Sequence, residues 1–228
     1  MSRSRRRSLS SPDVWNVSPA EGIEIQKRLR PLVRRSWDGR AIELVAGADV
    51  HFPSKGTARA ALVILAYPGF EIVDSSVFEG PCAFPYVPGL LSFREIPPLI
   101  EAWRTLRLTP DCILCDGQGI AHPRGLGLAS HLGLVLGIPT IGCAKSPLFG
   151  RYEEPGPIRG DEAPIRDPKG RTIGSVVRTR DLTKPLYVSV GHLMSLKKAV
   201  SIVLSCTGRF RIPEPLRAAH HLAGAGRT

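Results

Sequence analysis

The alternation of hydrophobic and polar positions predicts a sheet whose first strands are consecutive and whose later strands are separated by helices. Seven apolar, β-rich runs are expected to be strands: 42–50, 58–67, 71–78, 111–115, 139–144, 172–179 and 186–190. Turn residues closely separate the first three runs, as in an antiparallel meander. We therefore expect a meander first, followed by alternating helices and strands.

Helices are predicted from capping signals and from the spacing of apolar positions. Ser18 and Glu21 form a capping box with Pro19 at the first helical position. A helix should run from there towards Trp37, with Pro31 bending or ending it. Further helices are expected at 92–103, 125–136, 195–207 and shortly after 213–215. The Pro- and Gly-rich segments are expected to be a loop, 80–91, and a surface excursion, 152–169.

This order of elements predicts an α/β fold, a single domain with a mixed β-sheet flanked by helices, and it matches the RNase H-like arrangement. We assign residues 18–222 to the domain, 1–17 to a basic, disordered N-terminal arm and 223–228 to a C-terminal tail. No apolar run is long enough to span a bilayer, and the first residues lack the apolar stretch of a signal peptide. We therefore expect a cytoplasmic protein with no membrane partner.

Positive charge is concentrated towards the two ends of the chain. The net charge is +11, and residues 1–40 carry ten Lys/Arg against four Asp/Glu. Residues 165–228 carry twelve against three, whereas 41–164 carry nine against thirteen. Basic flanks around a few carboxylates suit an enzyme that holds phosphates and a divalent cation, although many basic proteins bind no nucleic acid. The N-terminal arm is either a disordered tail or a nonspecific phosphate-binding segment.

Three carboxylates are candidates for a metal site. Asp49 and Asp116 are each the first charge after a buried run, and ligands gather at strand ends in open α/β sheets. Carboxylates on adjacent strands would offer oxygen ligands to Mg²⁺, which activates water and stabilises charge on phosphate. On spacing alone, both could also be ordinary strand-end or turn aspartates. Glu95 follows Ser92 by three residues, so it either caps its own helix or points at the metal.

Other polar residues lie close to these strand ends. The loop that begins at Asp116 contains two glycines and a His-Pro-Arg sequence, which suits contact with a base or a phosphate. Lys145 follows the strand at 139–144 and could neutralise a phosphate or be a solvated loop lysine. His220 is a candidate acid or base, with His221 as its competitor.

The remaining cysteines and histidines are interpreted as structural. Cys112 and Cys115 form a CxxC within an apolar run, with no second pair at zinc-ribbon spacing, so we expect buried thiols. His131 lies in the middle of an apolar helix, and His192 is also placed in the framework.

Five motifs, in order, resemble the endonuclease V family. They are FPYVPGLLSFRE at 84–95, DGQGIAHPRGLGLASHLG at 116–133, IPTIGCAK at 138–145, KPLYVS at 184–189 and PEPLRAAH at 213–220. The resemblance covers residues 18–222 and implies an RNase H-like fold and Mg²⁺-dependent hydrolysis, with Mn²⁺ as a substitute. It also implies a cut at the second phosphodiester bond 3′ of hypoxanthine, leaving 3′-hydroxyl and 5′-phosphate ends.

The resemblance also implies roles for particular residues. Three metal ligands and two supporting catalytic groups are implied at Asp49, Glu95, Asp116, Lys145 and His220. A strand-separating wedge is implied at Pro85, Tyr86, Val87 and Pro88, and a Pro-stiffened loop presents an aromatic ring at low entropic cost. The base pocket is implied at Gly89, Leu91, Gly117, His122 and Gly127.

The predicted function is repair of DNA containing deaminated bases by a monomeric deoxyribonuclease V-type enzyme. Inosine-containing RNA is the alternative substrate, because only a contact to the 2′-hydroxyl separates the two. A lesion-binding protein without turnover is the alternative of another class. The presence of all three acids with Lys145 and His220 argues against it, because a pure binder has no use for a metal cluster.

Overall fold

The sheet is mixed, and in the computed structural model, which describes residues 15–224, it has eight strands. The strands are β1 (Leu44–Ser54), β2 (Thr57–Ala66), β3 (Ile72–Pro81), β4 (Cys112–Cys115), β5 (Thr140–Ala144), β6 (Glu162–Arg166), β7 (Thr172–Val177) and β8 (Leu186–His192). The helices are α1 (Pro19–Leu29), α2 (Leu91–Thr105), α3 (Leu128–Leu136), α4 (Leu196–Ser205) and α5 (Glu214–Gly224). The strand order is β3-β2-β1-β4-β5-β8-β7-β6.

The predicted meander and the later alternation of helices and strands are confirmed. Strands β1, β2 and β3 pair antiparallel in sequence order, and β1, β4 and β5 pair parallel at the centre. The carboxyl ends of β4 and β5 therefore lie at one edge of the sheet, beside the middle of β1. This is the edge at which an open α/β sheet places its ligands.

Helices cover both faces of the sheet, as predicted for the α/β fold. On one face Ala46 of β1 and Leu62 of β2 pack with Phe93 and Ile96 of α2 and Leu132 of α3. Residues that point the other way along the same strands pack against α4 and α5 in a second cluster. Alternate residues of β1 thus belong to two hydrophobic cores, one on each side of the sheet.

One strand was not predicted. Strand β6 lies within the segment that we expected to be an irregular surface excursion, 152–169, and pairs only with β7 in the sheet. Its residues alternate between exposed and buried, with Ala163 and Ile165 inside. Pro164 is compatible with this strand because an edge strand leaves some N–H groups unpaired. The Pro- and Gly-rich surroundings concealed the short alternation.

The helix predicted to run towards Trp37 is shorter. Helix α1 begins with the predicted capping box and ends at Leu29, and Arg30–Leu32 form a 3₁₀ turn that contains Pro31. Helix α2 continues through Pro97 and Pro98. Pro98 has no N–H for the carbonyl of Arg94, which instead lies 3.6 Å from the thiol of Cys82, a weak donor.

The ends of the domain differ slightly from the predicted boundaries. Trp15 is only 8% exposed and packs on Phe93 and His131, so it belongs to the core and not to the arm. Helix α5 continues to Gly224, beyond the predicted boundary at 222. The rest of the predicted arm, 1–14, and of the predicted tail, 225–228, lies outside the described residues. Over residues 15–224, every helix is too short or too polar to cross a bilayer.

Candidate active site

Two aspartates and a lysine meet at the edge where the parallel strands end. Asp116 directly follows β4 and Lys145 directly follows β5, and the Lys145 ammonium lies 2.5 Å from a carboxylate oxygen of Asp116. Asp49 does not end its strand as predicted, because β1 continues to Ser54. Its position in mid-strand still brings it beside Asp116, because Ala48 pairs with Cys115 in the parallel ladder.

Glu95 completes a cluster of three carboxylates. The prediction that it might instead cap its own helix is wrong, because α2 starts one residue earlier than Ser92, with Leu90 as N-cap and no side-chain cap. Glu95 is 8% exposed. Burial raises its pKa well above the usual range, and the charges of Asp49 and Asp116 raise it further. The pKa of Asp116 is raised by burial as well, although Lys145 opposes this.

His220 reaches the same edge from the last helix. Its Nδ1 lies 2.7 Å from a carboxylate oxygen of Asp49, and its ring is 68% exposed. The sequence left His220 and His221 as competitors, and this contact places His220 at the carboxylates. Gly47 makes the approach possible, because a Cβ there would overlap the carbonyl of Pro215 in the first turn of α5. The glycine therefore lets α5 pack directly on β1 beside Asp49.

The donor set of this cluster fits Mg²⁺. Carboxylate oxygens are the protein ligands that Mg²⁺ prefers, and Asp49 and Asp116 lie close enough to Glu95 for their charges to raise its pKa. Within residues 15–224, no three His, Cys, Asp or Glu side chains are arranged so that they alone could hold a metal ion. Mg²⁺ commonly takes one or two protein carboxylates and completes its shell with water and substrate phosphate.

A cavity of about 390 Å³ opens beside the carboxylates. Its wall includes Asp116 and Lys145 as well as eight of the nine positions predicted for the wedge and base pocket: Tyr86, Val87, Pro88, Gly89, Leu91, Gly117, His122 and Gly127. Tyr86 is 70% exposed at the tip of its loop, and Pro85 is exposed beside it. The structure therefore places the predicted wedge and pocket around one space that adjoins the acidic cluster.

The loop that carries Tyr86 is held by the carbonyl oxygen of Gly89. This oxygen accepts hydrogen bonds from Nε2 of Gln26 at 2.9 Å, from Nε2 of His122 at 2.9 Å and from Nη2 of Arg124 at 2.7 Å. Gly89 has a φ of +79°, and a Cβ there would lie 2.6 Å from Nη2 of Arg124. A glycine is thus favoured both by the backbone conformation and by the close approach of Arg124.

Gln26 is the residue that the sequence analysis missed. It is 1% exposed and uses its whole amide: it donates to the carbonyls of Gly89 and Leu126 and accepts from Nε of Arg124. The available signal was a glutamine in line with the buried positions Gly22 and Leu29 of the amphipathic helix α1. A polar side chain on such a stripe indicates a buried hydrogen-bond network.

The buried histidines belong to the framework. Nδ1 of His122 accepts from the backbone N–H of Arg124 at 3.1 Å, so Nε2 carries the proton donated to Gly89. Burial, with the nearby charge of Arg124, lowers the pKa of His122 to about 4. Burial lowers the pKa of His131 to about 3 and that of His192 to about 4, in line with their predicted structural roles. Cys112 and Cys115 are buried as expected.

Comparisons with known proteins agree on one family. The sequence profile of the family described as Endonuclease V matches residues 26–221. Endonuclease V of Trichormus variabilis is 47% identical over 214 residues, which covers 93% of this chain and 96% of the relative. The similarity thus extends over the whole predicted domain.

Solved structures show the same similarity in three dimensions. The crystal structure of endonuclease V from Streptomyces avermitilis has a TM-score of 0.89 and 40% sequence identity, covering 94% of this chain and 95% of that one. Endonuclease V of Ciona intestinalis has a TM-score of 0.81 and 30% identity, covering 91% and 96%. That protein was crystallised with a 24-mer DNA that contains an inosine followed by a ribo-adenosine.

Proposed function

The chain belongs to the endonuclease V family, and we propose from this that it is a Mg²⁺-dependent nuclease that cuts DNA beside hypoxanthine. The proposed cut is at the second phosphodiester bond on the 3′ side of the lesion, leaving 3′-hydroxyl and 5′-phosphate ends. Mn²⁺ is proposed to replace Mg²⁺. We also predict that the protein is a monomer, that it acts in the cytoplasm and that its partner is DNA with deaminated bases.

One observation carries this proposal. The cavity beneath the Tyr86 loop shares Asp116 and Lys145 with the cluster that also contains Asp49, Glu95 and His220. A base held in the cavity would therefore bring its own backbone to the carboxylates. The 390 Å³ volume lies within the range of pockets that take small organic groups.

The residues of the site divide the work. Tyr86, exposed on a loop stiffened by prolines, is placed to stack beside the gap left when the damaged base leaves the helix. The ammonium of Lys145 is placed to offset negative charge that develops on the phosphate. His220 is oriented by Asp49 and exposes its ring, so it can exchange a proton with the substrate.

Asp49, Glu95 and Asp116 are the residues from which the carboxylate ligands of Mg²⁺ would come, with water and substrate phosphate completing its shell. When bound, the ion would supply a nucleophilic water and neutralise charge on the phosphate. Burial raises the pKa of Glu95, and the charges of Asp49 and Asp116 raise it further, so a cation bound among these carboxylates would be favoured, which supports this assignment.

The direct test is a duplex with a single hypoxanthine, incubated with the protein in Mg²⁺ or in EDTA. We expect a nick in Mg²⁺ only, mapped one nucleotide beyond the lesion on its 3′ side. A nick at another position would correct the proposed cleavage site. Tight binding without any nick in Mg²⁺ or Mn²⁺ would replace the proposal with a lesion-binding protein.

Inosine-containing RNA is the second candidate substrate. The Ciona intestinalis relative was crystallised with DNA in which a ribo-adenosine follows the inosine, so that protein binds a strand with a 2′-hydroxyl at this position. Competition between matched DNA and RNA strands would show which one this enzyme prefers. A strong preference for RNA would make the 2′-hydroxyl part of the recognised structure.

A further inference from the structure

A second cavity adjoins the base pocket at the His122 loop. It has a volume of about 420 Å³, and His122 borders both spaces. Four cationic side chains line it: Arg30, Arg35, Lys169 and Arg171. A groove with this lining favours a polyanion.

A third cavity continues from the second. It has a volume of about 580 Å³, shares Asp167 and Pro168 with the second, and adds Arg151 and Arg166. We call the two cavities together the basic groove. Six cationic side chains line it, against the carboxylates of Asp167 and Glu153. Asp167 is already paired with Arg171 at 2.6 Å, so the excess charge of the groove is positive.

The fold brings the two basic flanks of the sequence together in this groove. Arg30 and Arg35 come from the N-terminal flank, whereas Lys169 and Arg171 come from the C-terminal flank. Nη2 of Arg35 donates to the carbonyl of Thr172 at 3.0 Å, which joins the two flanks directly. Four cations from the two flanks therefore meet in one cavity that adjoins the base pocket.

We propose that the basic groove binds the phosphodiester backbone of the cleaved strand on the 5′ side of the flipped base. This inference rests on the proposed function. Asp116 and Lys145 line the base pocket, and the proposed cut places the 3′ continuation of the strand at these residues. The basic groove shares His122 with the pocket but neither Asp116 nor Lys145, which leaves the groove for the 5′ continuation.

The test compares charge removal on the protein with charge removal on the substrate. Lys169→Gln removes an exposed cation of the groove, and Arg107→Gln is the matched control, because Arg107 is 82% exposed and precedes β4, opposite its catalytic end. Binding to a hypoxanthine duplex is measured in EDTA over a range of salt concentrations. Methylphosphonates, which are uncharged, replace phosphates either 5′ or 3′ of the lesion.

We expect Lys169→Gln to weaken binding and to lower the salt slope of log K by about 0.7 to 0.9, the value for one phosphate contact. The control should leave the slope unchanged. Methylphosphonates 5′ of the lesion should weaken wild-type binding and weaken Lys169→Gln less, whereas those on the 3′ side should weaken both proteins equally.

Two results would overturn the inference in different ways. If the wild-type protein nicks hypoxanthine DNA but Lys169→Gln binds like the control, the groove does not hold the strand. If methylphosphonates on the 3′ side weaken the binding of Lys169→Gln less than that of the wild type, the groove holds the 3′ side of the strand and the assigned polarity is wrong. A wild-type protein that fails to nick the lesion would instead overturn the proposed function, and the 5′ assignment with it.

Discussion

Two polar clusters border the same cavity, and they differ in how well their charges and polar atoms are paired. At the catalytic edge, Asp49, Glu95 and Asp116 are brought together with too little positive charge to balance them. Beneath the Tyr86 loop, the amide of Gln26 and the carbonyl of Gly89 have hydrogen-bond partners for their polar atoms. The carboxylates of the first cluster repel one another, whereas the polar atoms of the second cluster are all hydrogen-bonded.

This difference separates chemistry from support. Unbalanced buried charge costs stability and persists where a cation or a substrate relieves it. A satisfied buried network costs little and fixes one conformation of the loop that it holds. We therefore expect substitutions at the catalytic edge to change the reaction and spare the fold, and substitutions beneath the loop to do the reverse.

The largest effect is expected for Asp116→Ala. Removing this carboxylate should lower the nicking rate by well over 100-fold, more than the loss usually caused by an outer-shell partner of a metal. Urea unfolding should show no loss of stability, because a charge that repels buried Glu95 is removed. Single-turnover nicking and equilibrium unfolding measure the two quantities, and lesion binding in EDTA should persist. Full activity of this variant would refute the assignment of Asp116 to the metal site.

The converse is expected for Gln26→Leu. The change leaves the carbonyl of Leu126 without the donor that Gln26 supplied and Arg124 without its acceptor, so stability should fall by roughly 2–4 kcal/mol. The nicking rate at saturating substrate should change little, while KM rises as the loop loosens. Gln26→Glu is the comparison, since it keeps the acceptor for Arg124 but sets a carboxylate oxygen against the carbonyls of Gly89 and Leu126 in place of the two donors. A Gln26→Leu variant as stable as the wild type would show that these hydrogen bonds do not contribute to stability.

Tyr86 is an exposed residue of a loop that is anchored at Gly89. Tyr86→Ala should leave the unfolding midpoint unchanged, because the ring is 70% exposed. The loss of base stacking should slow nicking of a duplex by about 5- to 150-fold, equivalent to 1–3 kcal/mol. A single-stranded substrate needs no strand separation, so its nicking should slow much less. Equal losses on both substrates would argue that Tyr86 binds the base and does not separate strands.

The sequence predicts the catalytic edge better than its support. Asp49 and Asp116 could be found because a charge after a buried run is visible in the pattern of positions, and Lys145 follows a strand in the same way. The pattern could not decide between the two roles of Glu95. Its motif is also a good capping box, and only the actual start of α2 at Leu91 removes that alternative.

Support is harder to predict because its partners are distant in the chain. Gln26 meets Gly89 and Leu126 across 63 and 100 residues, and no local signal encodes either contact. Strand β6 was missed for a related reason: its five residues are defined by pairing with β7 more than by their own composition. Local periodicity therefore predicts most strands and the candidate acidic residues. The supporting network and strand β6 depend on tertiary contacts that local patterns do not contain.

The smallest effect is expected in the pH dependence of stability, measured in EDTA. His131 has a pKa of about 3 when folded, against 6.5 when unfolded. The unfolded chain therefore takes up a proton first as pH falls below 6.5, and this histidine alone should cost about 1.4 kcal/mol of stability between pH 7.5 and 5.5. The raised pKa of Glu95 acts with the opposite sign, because the folded protein binds that proton more readily and repulsion is relieved as pH falls. Urea unfolding of His131→Asn should show a weaker loss of stability on acidification than the wild type, and Glu95→Gln a stronger one. Parallel pH profiles for all three proteins would mean that neither the buried imidazole of His131 nor the buried carboxyl of Glu95 titrates differently in the folded and unfolded chains.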